Sequence, residues 1–220
     1  MYHLLAAVFF TSVFIVLTVL SIRIFLFNFW IQHRSYFRVF LALWFIPYLV
    51  FILFFTGPLN LQDYPPAQDS PYKQPWKAGV TRFVAQGNRS FTSHRAEHTC
   101  AWDFVMSNGT EILAARDGTV VEILDSADGI GFLSNFVSIE HVDGSRATYA
   151  HIQTGGARAK LGESVRQGQT IALSGMVGQT IFPHVHFYVV SKSGLALPIS
   201  FKDVEGGVPF AGHAYTSQNR

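Results

Sequence analysis

Seven of the nine histidines fall between positions 94 and 213, and three of them occupy two tight contexts, Tyr149-Ala150-His151 and Pro183-His184-Val185-His186-Phe187. Residues two apart in a strand face the same side, so His184 and His186 project together from one sheet face. Two converging imidazoles can hold a metal or carry protons, and they equally suit the polar face of an amphipathic strand. A nearby carboxylate changes that balance. Asp103, in Ala101-Trp102-Asp103-Phe104, sits in an apolar strand-like segment, where a charge is costly unless it is exposed, paired or bound to a cation. Upstream, Ser93-His94-Arg95-Ala96-Glu97-His98 offers two more imidazoles that can reach Asp103 after a turn. Two His, one Asp and a water in the fourth position compose an open zinc site, whereas a closed structural site uses four protein ligands rich in Cys. Cys100, the single cysteine, reads as a small core residue and cannot form an intramolecular disulfide.

These side chains must be carried by short β-rich runs. Thr119 to Leu124, Asn135 to Glu140, Ala147 to Ile152, Thr170 to Leu173 and Val185 to Val190 are separated by turns such as Ala127-Asp128-Gly129 and Val142-Asp143-Gly144. The pattern predicts one compact, mostly β, antiparallel domain over residues 79–200, followed by a polar tail over 201–220 that contains His213. His141 reads as a strand-end residue beside a turn. The stretch Gly175 to Thr180 precedes the histidine pair and can line a groove, but it lacks the Lys and the following helix of a phosphate-binding loop.

The rest of the chain is different in kind. Of the 220 residues, 49% are hydrophobic and only 14% charged; 12 of the 21 Phe lie in residues 1–56, and the first acidic residue is Asp63. Leu4 to Ile22 and Val39 to Thr56 are uncharged runs of 19 and 18 residues, each near the length needed to cross about 30 Å of hydrocarbon. They predict a two-helix transmembrane hairpin over 1–56. Arg23, Arg34 and Arg38 lie between them, and short cation-bearing loops stay cytoplasmic, so both ends of the hairpin face outward. A cleaved signal peptide is disfavoured, because the first run lacks a cationic leader and a small-residue cleavage site. Residues 57–78 carry five prolines and predict a stiff, extended tether. Residues 63–220 hold 13 basic and 14 acidic side chains, which leaves no basic surface to displace phosphate counterions and excludes a nucleic-acid partner.

Taken in order, Ser93-His94, Ala101-x-Asp103-Phe104, Gly109 to Val120, Tyr149-Ala150-His151, Gly168-Gln169 and Pro183 to Phe187 resemble the lysostaphin and LytM family of zinc metalloendopeptidases. The resemblance covers about residues 90–190. It implies a small antiparallel β-sheet metallopeptidase domain with a groove, a Zn2+ cofactor, and hydrolysis of peptide cross-links in peptidoglycan, whose stem peptides are the partner. Residue by residue, it implies that His94 or His98, Asp103 and His186 hold zinc, and that His184 and His151 act on the reaction. The usual spacing is His, three residues, Asp; His98 is one residue too far, and His94 lies nine before Asp103. A branch with the Ser-His and Ala-x-Asp-Phe pattern has a longer loop and favours His94. Without a His-Glu-x-x-His helix, imidazoles must move the protons. An alternative within the same resemblance is an inactive domain that binds and activates a cell-wall amidase, but such members have lost zinc ligands that this chain keeps. The placement implied is the inner membrane, with the C-terminal domain on its periplasmic side. A reporter active only outside the cytoplasm, fused after Arg220, is therefore expected to be active; activity of a cytoplasm-only reporter at the same position would reverse the orientation.

Overall fold

The computed structural model describes residues 60–220 together with residues 17–21, 43, 45–46 and 49–50. Two compact units divide the chain, Met1–Leu53 and Phe54–Arg220. In the first unit the described residues are helical, and Ser21 Oγ donates to the Leu17 carbonyl one turn back at 2.6 Å. The transmembrane hairpin expected over 1–56 lies almost wholly outside the described residues, and among those described no helix is long and apolar enough to cross a membrane.

Among its described residues the second unit has eleven strands: β1 (Thr81–Gln86), β2 (Trp102–Val105), β3 (Glu111–Leu113), β4 (Gly118–Leu124), β5 (Phe136–Glu140), β6 (Arg146–Ala150), β7 (Ile152–Ala157), β8 (Ser164–Val165), β9 (Thr170–Ser174), β10 (His184–Val190) and β11 (Ala214–Thr216). Eight form one sheet in the order β11-β1-β2-β10-β6-β5-β4-β8, and β3-β9-β7 form a second. Every ladder between named strands is antiparallel. The expected mostly β, antiparallel architecture is the one observed.

Alternation in the central strands separates core from site. On β10, Val185, Phe187 and Val189 are fully buried in the core, and the intervening His184, His186 and Tyr188 project from the opposite face. On β2, Trp102 and Phe104 enter the same core, so Asp103 between them faces the side of the histidines. The core side is aromatic: Trp102 lies 5.1 Å from Phe201, Phe104 4.9 Å from Trp76, and Tyr149 5.1 Å from Phe187, centroid to centroid. Edge-on and tilted pairs of this kind contribute beyond their buried area. They fix β2 and β10 against each other from behind.

Two segments at the domain boundaries differ from expectation. The Pro-rich stretch 57–78 is not a free tether from residue 60 onward, because Tyr64, Tyr72 and Trp76 are buried in the core. Its prolines limit helix to two single 3-10 turns, Leu61–Asp63 and Ala67–Asp69, while the aromatics between them find apolar partners, and Leu113 N–H donates to the Pro75 carbonyl at 3.0 Å. The polar tail expected over 201–220 is likewise part of the domain. Phe201, Val204 and Val208 are buried, and β11 pairs with β1. Proximity of the two segments explains both corrections. Asp203 accepts from the Gln74 and Gln218 N–H groups at 3.0 and 2.9 Å, and Ser217 Oγ donates to the Trp76 carbonyl at 2.6 Å. Asn219 Nδ2 donates to both the Gln74 and Ala114 carbonyls at 3.0 Å. These bonds give the tail's polar side chains a buried role that composition does not reveal. Asn219→Ala removes the donor from two buried carbonyls, which is expected to cost about 1–3 kcal/mol. Thermal melting of the full chain by circular dichroism should show the β domain's midpoint falling by on the order of 5 °C; an unchanged midpoint would deny the clasp a stabilising role.

Candidate active site

Five histidines gather around one carboxylate on the face of the sheet opposite the aromatic core. In the antiparallel register of β2 and β10, His186 stands directly across from Asp103, and on its other side it faces Ala150 of β6. His186 Nδ1 lies 2.7 Å from Asp103 Oδ1. His184, two residues along the same strand face, places Nε2 3.5 Å from that oxygen.

His94 arrives from the loop between β1 and β2. The pairing of Gln86 with Asp103 brings the loop's two ends together, and a 3-10 turn over Ala96–His98 folds the excess length outward. Ala96 takes the left-handed backbone region (φ +52) to make this turn. Gln86 anchors the loop, donating from Nε2 to Ser93 Oγ at 2.7 Å and accepting from Thr92 Oγ1 at 2.6 Å. His94 is consequently buried, with Nε2 3.3 Å from Asp103 Oδ1. Of the two ligand candidates left open by spacing, His94 is the one aimed at the carboxylate; His98 instead places Nδ1 3.1 Å from His186 Nε2.

His151 reaches the site by breaking strand alternation. Tyr149 is in the core and Ala150 faces the site side, so a continuous strand would send His151 back towards the core. A left-handed backbone at His151 (φ +64) interrupts β6 from β7 and redirects the side chain, whose ring comes within 4.7 Å of the His184 ring. The expectation of an unbroken run from Ala147 to Ile152 misses this break. Positive φ is several-fold enriched for His, Asn and Asp among non-glycine residues, so the residue type permits the conformation without announcing it.

Backbone carbonyls fix the rings. Nδ1–H of His94 donates to the Gly87 carbonyl at 2.7 Å, that of His151 to Val177 at 2.8 Å, and that of His184 to Phe182 at 2.9 Å. Each bond assigns the proton to Nδ1 and directs Nε2 to the common centre. The accepting carbonyls are functional features that motif spacing did not identify. The Gly175 to Thr180 stretch gave a partial signal, since it shapes the loop presenting Val177. Gly178 there adopts φ +101, and a Cβ at that position would fall 2.0 Å from Ser134 Oγ, so the close approach of the loops around 130 and 178 requires glycine.

Burial alone would raise the Asp103 carboxyl, but the charges of His184 and His94 and hydrogen bonds from His184 and His186 outweigh it and hold the group well below the usual carboxylate range. His184 is disfavoured as a cation by burial yet held above its ordinary value by Asp103. Burial pushes His186 down to about 3 despite Asp103. Burial and the neighbouring His184 lower His151 to about 4. His141 lies elsewhere, its Nδ1–H donating to the Asp117 carbonyl at 2.8 Å and its ring against Tyr72, in keeping with a structural strand-end residue. His213 is exposed, and Cys100 is a free, buried thiol.

One ligand atom each from His94, Asp103 and His186 can be chosen within 4.8 Å of one another, and the same holds for His151, His184 and His186. The first set combines two imidazoles with a carboxylate. With its Nδ1 proton on the Gly87 carbonyl, His94 turns Nε2 to Asp103 Oδ1, and a proton or a metal cation between the two atoms makes that approach favourable. This donor set fits zinc, whose His ligands characteristically donate their other N–H to a carbonyl or carboxylate.

Residues 97–197 match Peptidase family M23. The matched span includes Asp103, His151, His184 and His186 and begins three residues after His94. An uncharacterized metalloprotease of Haemophilus influenzae is 35% identical over 100 residues, which are 46% of this chain and 20% of that protein. Peptidoglycan DD-endopeptidase ShyC of Vibrio cholerae is 38% identical over 39% of this chain and 18% of its own length. A glycyl-glycine endopeptidase of Staphylococcus capitis is 35% identical over 41% and 24%, respectively. The chain thus spans about a fifth of the length of these curated relatives. Among solved structures, lysostaphin from Staphylococcus simulans aligns at 28% identity and a TM-score of 0.43, over 53% of this chain and 47% of that one.

The geometry separates the two candidate ligands experimentally. His94→Ala in the full chain should leave a folded protein that has lost most of its metal, whereas His98→Ala should retain stoichiometric metal at saturating zinc. Elemental analysis with circular dichroism as the folding control reads both; retention in the first and loss in the second would reverse the assignment.

Proposed function

We propose, from the Peptidase family M23 domain that this chain carries, that it is a zinc-dependent endopeptidase that hydrolyses peptide cross-links of bacterial peptidoglycan from the outer face of the inner membrane. The observation that carries this reading is the buried Asp103 carboxylate, with His186 Nδ1 at 2.7 Å, His94 Nε2 at 3.3 Å and two further imidazoles on the same face. The two uncharged runs before residue 57, with Arg23, Arg34 and Arg38 between them, support the anchor and its orientation. They would hold the domain beside its polymeric substrate.

His94, Asp103 and His186 would hold zinc. When bound, the ion supplies Lewis acidity that activates water and polarises a carbonyl at neutral pH. His151 and His184 do the proton work. Their Nδ1–H groups remain on the Val177 and Phe182 carbonyls, so each moves a proton only at Nε2. His151, lowered to about 4, presents a neutral Nε2 lone pair at pH 7, the state a general base requires, whereas Asp103 holds His184 above its ordinary value and so favours its proton-bearing form. Once protonated there, either imidazole can donate to a leaving amine or stabilise a developing oxyanion. Burial of both rings limits competing water.

The amidase-activator alternative would require neither the three-donor cluster nor two carbonyl-fixed imidazoles beside it. Its distinguishing feature, loss of zinc ligands, is not found here.

The test uses the full chain on purified peptidoglycan sacculi, with released fragments identified by mass spectrometry. Zinc-loaded wild type should release fragments cut within peptide cross-links. His184→Ala should keep most of its zinc while hydrolysis falls about 10²–10⁴-fold. Zinc-loaded wild type that leaves sacculi intact yet stimulates an amidase would replace this reading with the activator.

A further inference from the structure

His98 has geometry that neither a ligand nor a surface residue needs. It closes the 3-10 turn Ala96–His98, its N–H donating to the Arg95 carbonyl at 3.0 Å and its carbonyl accepting from Ala101 N–H at 2.9 Å. The half-exposed ring lies edge-on to Tyr188, with centroids 4.5 Å apart, and edge-on to His186 at 5.0 Å. Nδ1 faces His186 Nε2 at 3.1 Å, and Nε2 lies 3.7 Å from Glu97 Oε1. Both ring nitrogens therefore have directed neighbours. No Asp103 contact is made by His98, whose place in the site is behind His186, on the side away from the carboxylate.

The arrangement bears on which nitrogen of His186 carries a proton. Among the three histidines beside Asp103, His94 and His184 have their Nδ1 protons fixed by carbonyls and present Nε2. His186 presents Nδ1 instead, and among the described residues no backbone carbonyl accepts from its Nε2. A cation at Nδ1 requires the proton on Nε2, and that proton needs an acceptor within the buried face. The Glu97 carboxylate, at 3.7 Å beyond hydrogen-bond reach, favours by its charge the His98 tautomer protonated at Nε2, which leaves Nδ1 as that acceptor.

We propose that His98 is a positioning residue for His186, its Nδ1 accepting the His186 Nε2–H and so holding the His186 Nδ1 lone pair towards the metal, with Glu97 holding His98 in the matching tautomer. The inference rests on the zinc-site reading above and adds a supporting pair, Glu97 and His98, to the three ligands. Outer partners of this kind typically govern 10–100-fold in metal affinity without contributing a metal bond. His98 then fits its place nearly in line with the usual ligand spacing: it supports the site one layer further out.

The experiment compares full-length wild type, His98→Ala and His98→Asn. Asn places an amide oxygen two bonds from Cβ, where Nδ1 stands in His, so it can accept from His186 without restoring an imidazole. Dissociation constants for zinc are read by competition with a chromogenic chelator, and cobalt(II) substituted for zinc reports the ligand field by visible absorption. Circular dichroism of the metal-free proteins controls for folding, which the outward position of the turn favours. The expected result is about 10–100-fold weaker zinc binding in His98→Ala, recovery to within about threefold in His98→Asn, and a cobalt spectrum that keeps its wild-type intensity in all three. Unchanged affinity in His98→Ala overturns the proposal, as does an Asn variant as weak as the Ala variant. Loss of stoichiometric metal with a changed cobalt spectrum would make His98 a ligand and also overturn it. Wild type that binds neither ion would fail the underlying zinc-site reading, a result distinct from tight wild-type binding that His98→Ala leaves unaltered.

Discussion

A carboxylate held out of water in the middle of a sheet sets the terms for the rest of this domain. Asp103 occupies a strand whose neighbours in sequence, Trp102 and Phe104, are fully buried, so it cannot swing to solvent without dismantling the core. An isolated buried charge costs several kcal/mol even after relaxation. Compensation must come from the same sheet face. His186 across the β2–β10 ladder, His184 one pleat along and His94 from the connecting loop supply it. Their convergence follows from the need to satisfy one buried carboxylate, and it produces a donor set that could hold a metal cation.

The aromatic layer behind the sheet gives that convergence its rigidity. A ligand pair on adjacent strands is only as well placed as the strands' register, and register is strongly specified where one face is buried. Slipping β10 by one residue against β2 would turn Phe187 to the site and His186 into the core. Trp76, Phe201 and Tyr149, packed against Trp102, Phe104 and Phe187, resist this. Two of the packing residues come from segments outside the alternating strands, one from the proline-rich stretch and one from the chain's last twenty residues. These segments therefore matter to the site although neither touches it.

What could be read from the sequence divides along physical lines. Same-face projection of His184 and His186 is a consequence of strand period, and an Asp between Trp102 and Phe104 is conspicuous by its cost, so both were legible. The positions of β2, β4, β5, β6, β9 and β10 followed from β-branched and aromatic runs between turn residues, whereas β1, β3, β8 and β11 did not stand out. The packing of Tyr64, Tyr72 and Trp76 was not, because proline content reports backbone stiffness and says nothing about what the intervening side chains meet. Asn219 and Ser217 were read as polar tail for the same reason: their partners, the Gln74, Trp76 and Ala114 carbonyls, are more than 100 residues away. Spacing left His94 and His98 unresolved since it counts residues, whereas the turn over Ala96–His98 decides which imidazole faces Asp103 and which stands behind His186.

The left-handed backbones at Ala96 and His151 complete the physical account. A non-glycine residue in that region costs on the order of 1–2 kcal/mol, and both sit where alternation alone would misdirect an imidazole. At His151 the opposing gain is local: Nδ1–H donates to the Val177 carbonyl, and Ser134 Oγ lies 3.3 Å from the same nitrogen. A typical hydrogen bond contributes about 1 kcal/mol net, so these contacts offset the backbone cost without a large surplus. The neighbouring loops must consequently be held in place for the ring to remain there, which is the role of the glycine contact at Gly178 and of the hydrogen bonds between Gly178 and the Gly129 and Gly131 backbones. A regular strand carries imidazoles to a sheet face in pairs; bringing a third beside them required leaving the strand, and the fold accepts local strain at that one residue to do so.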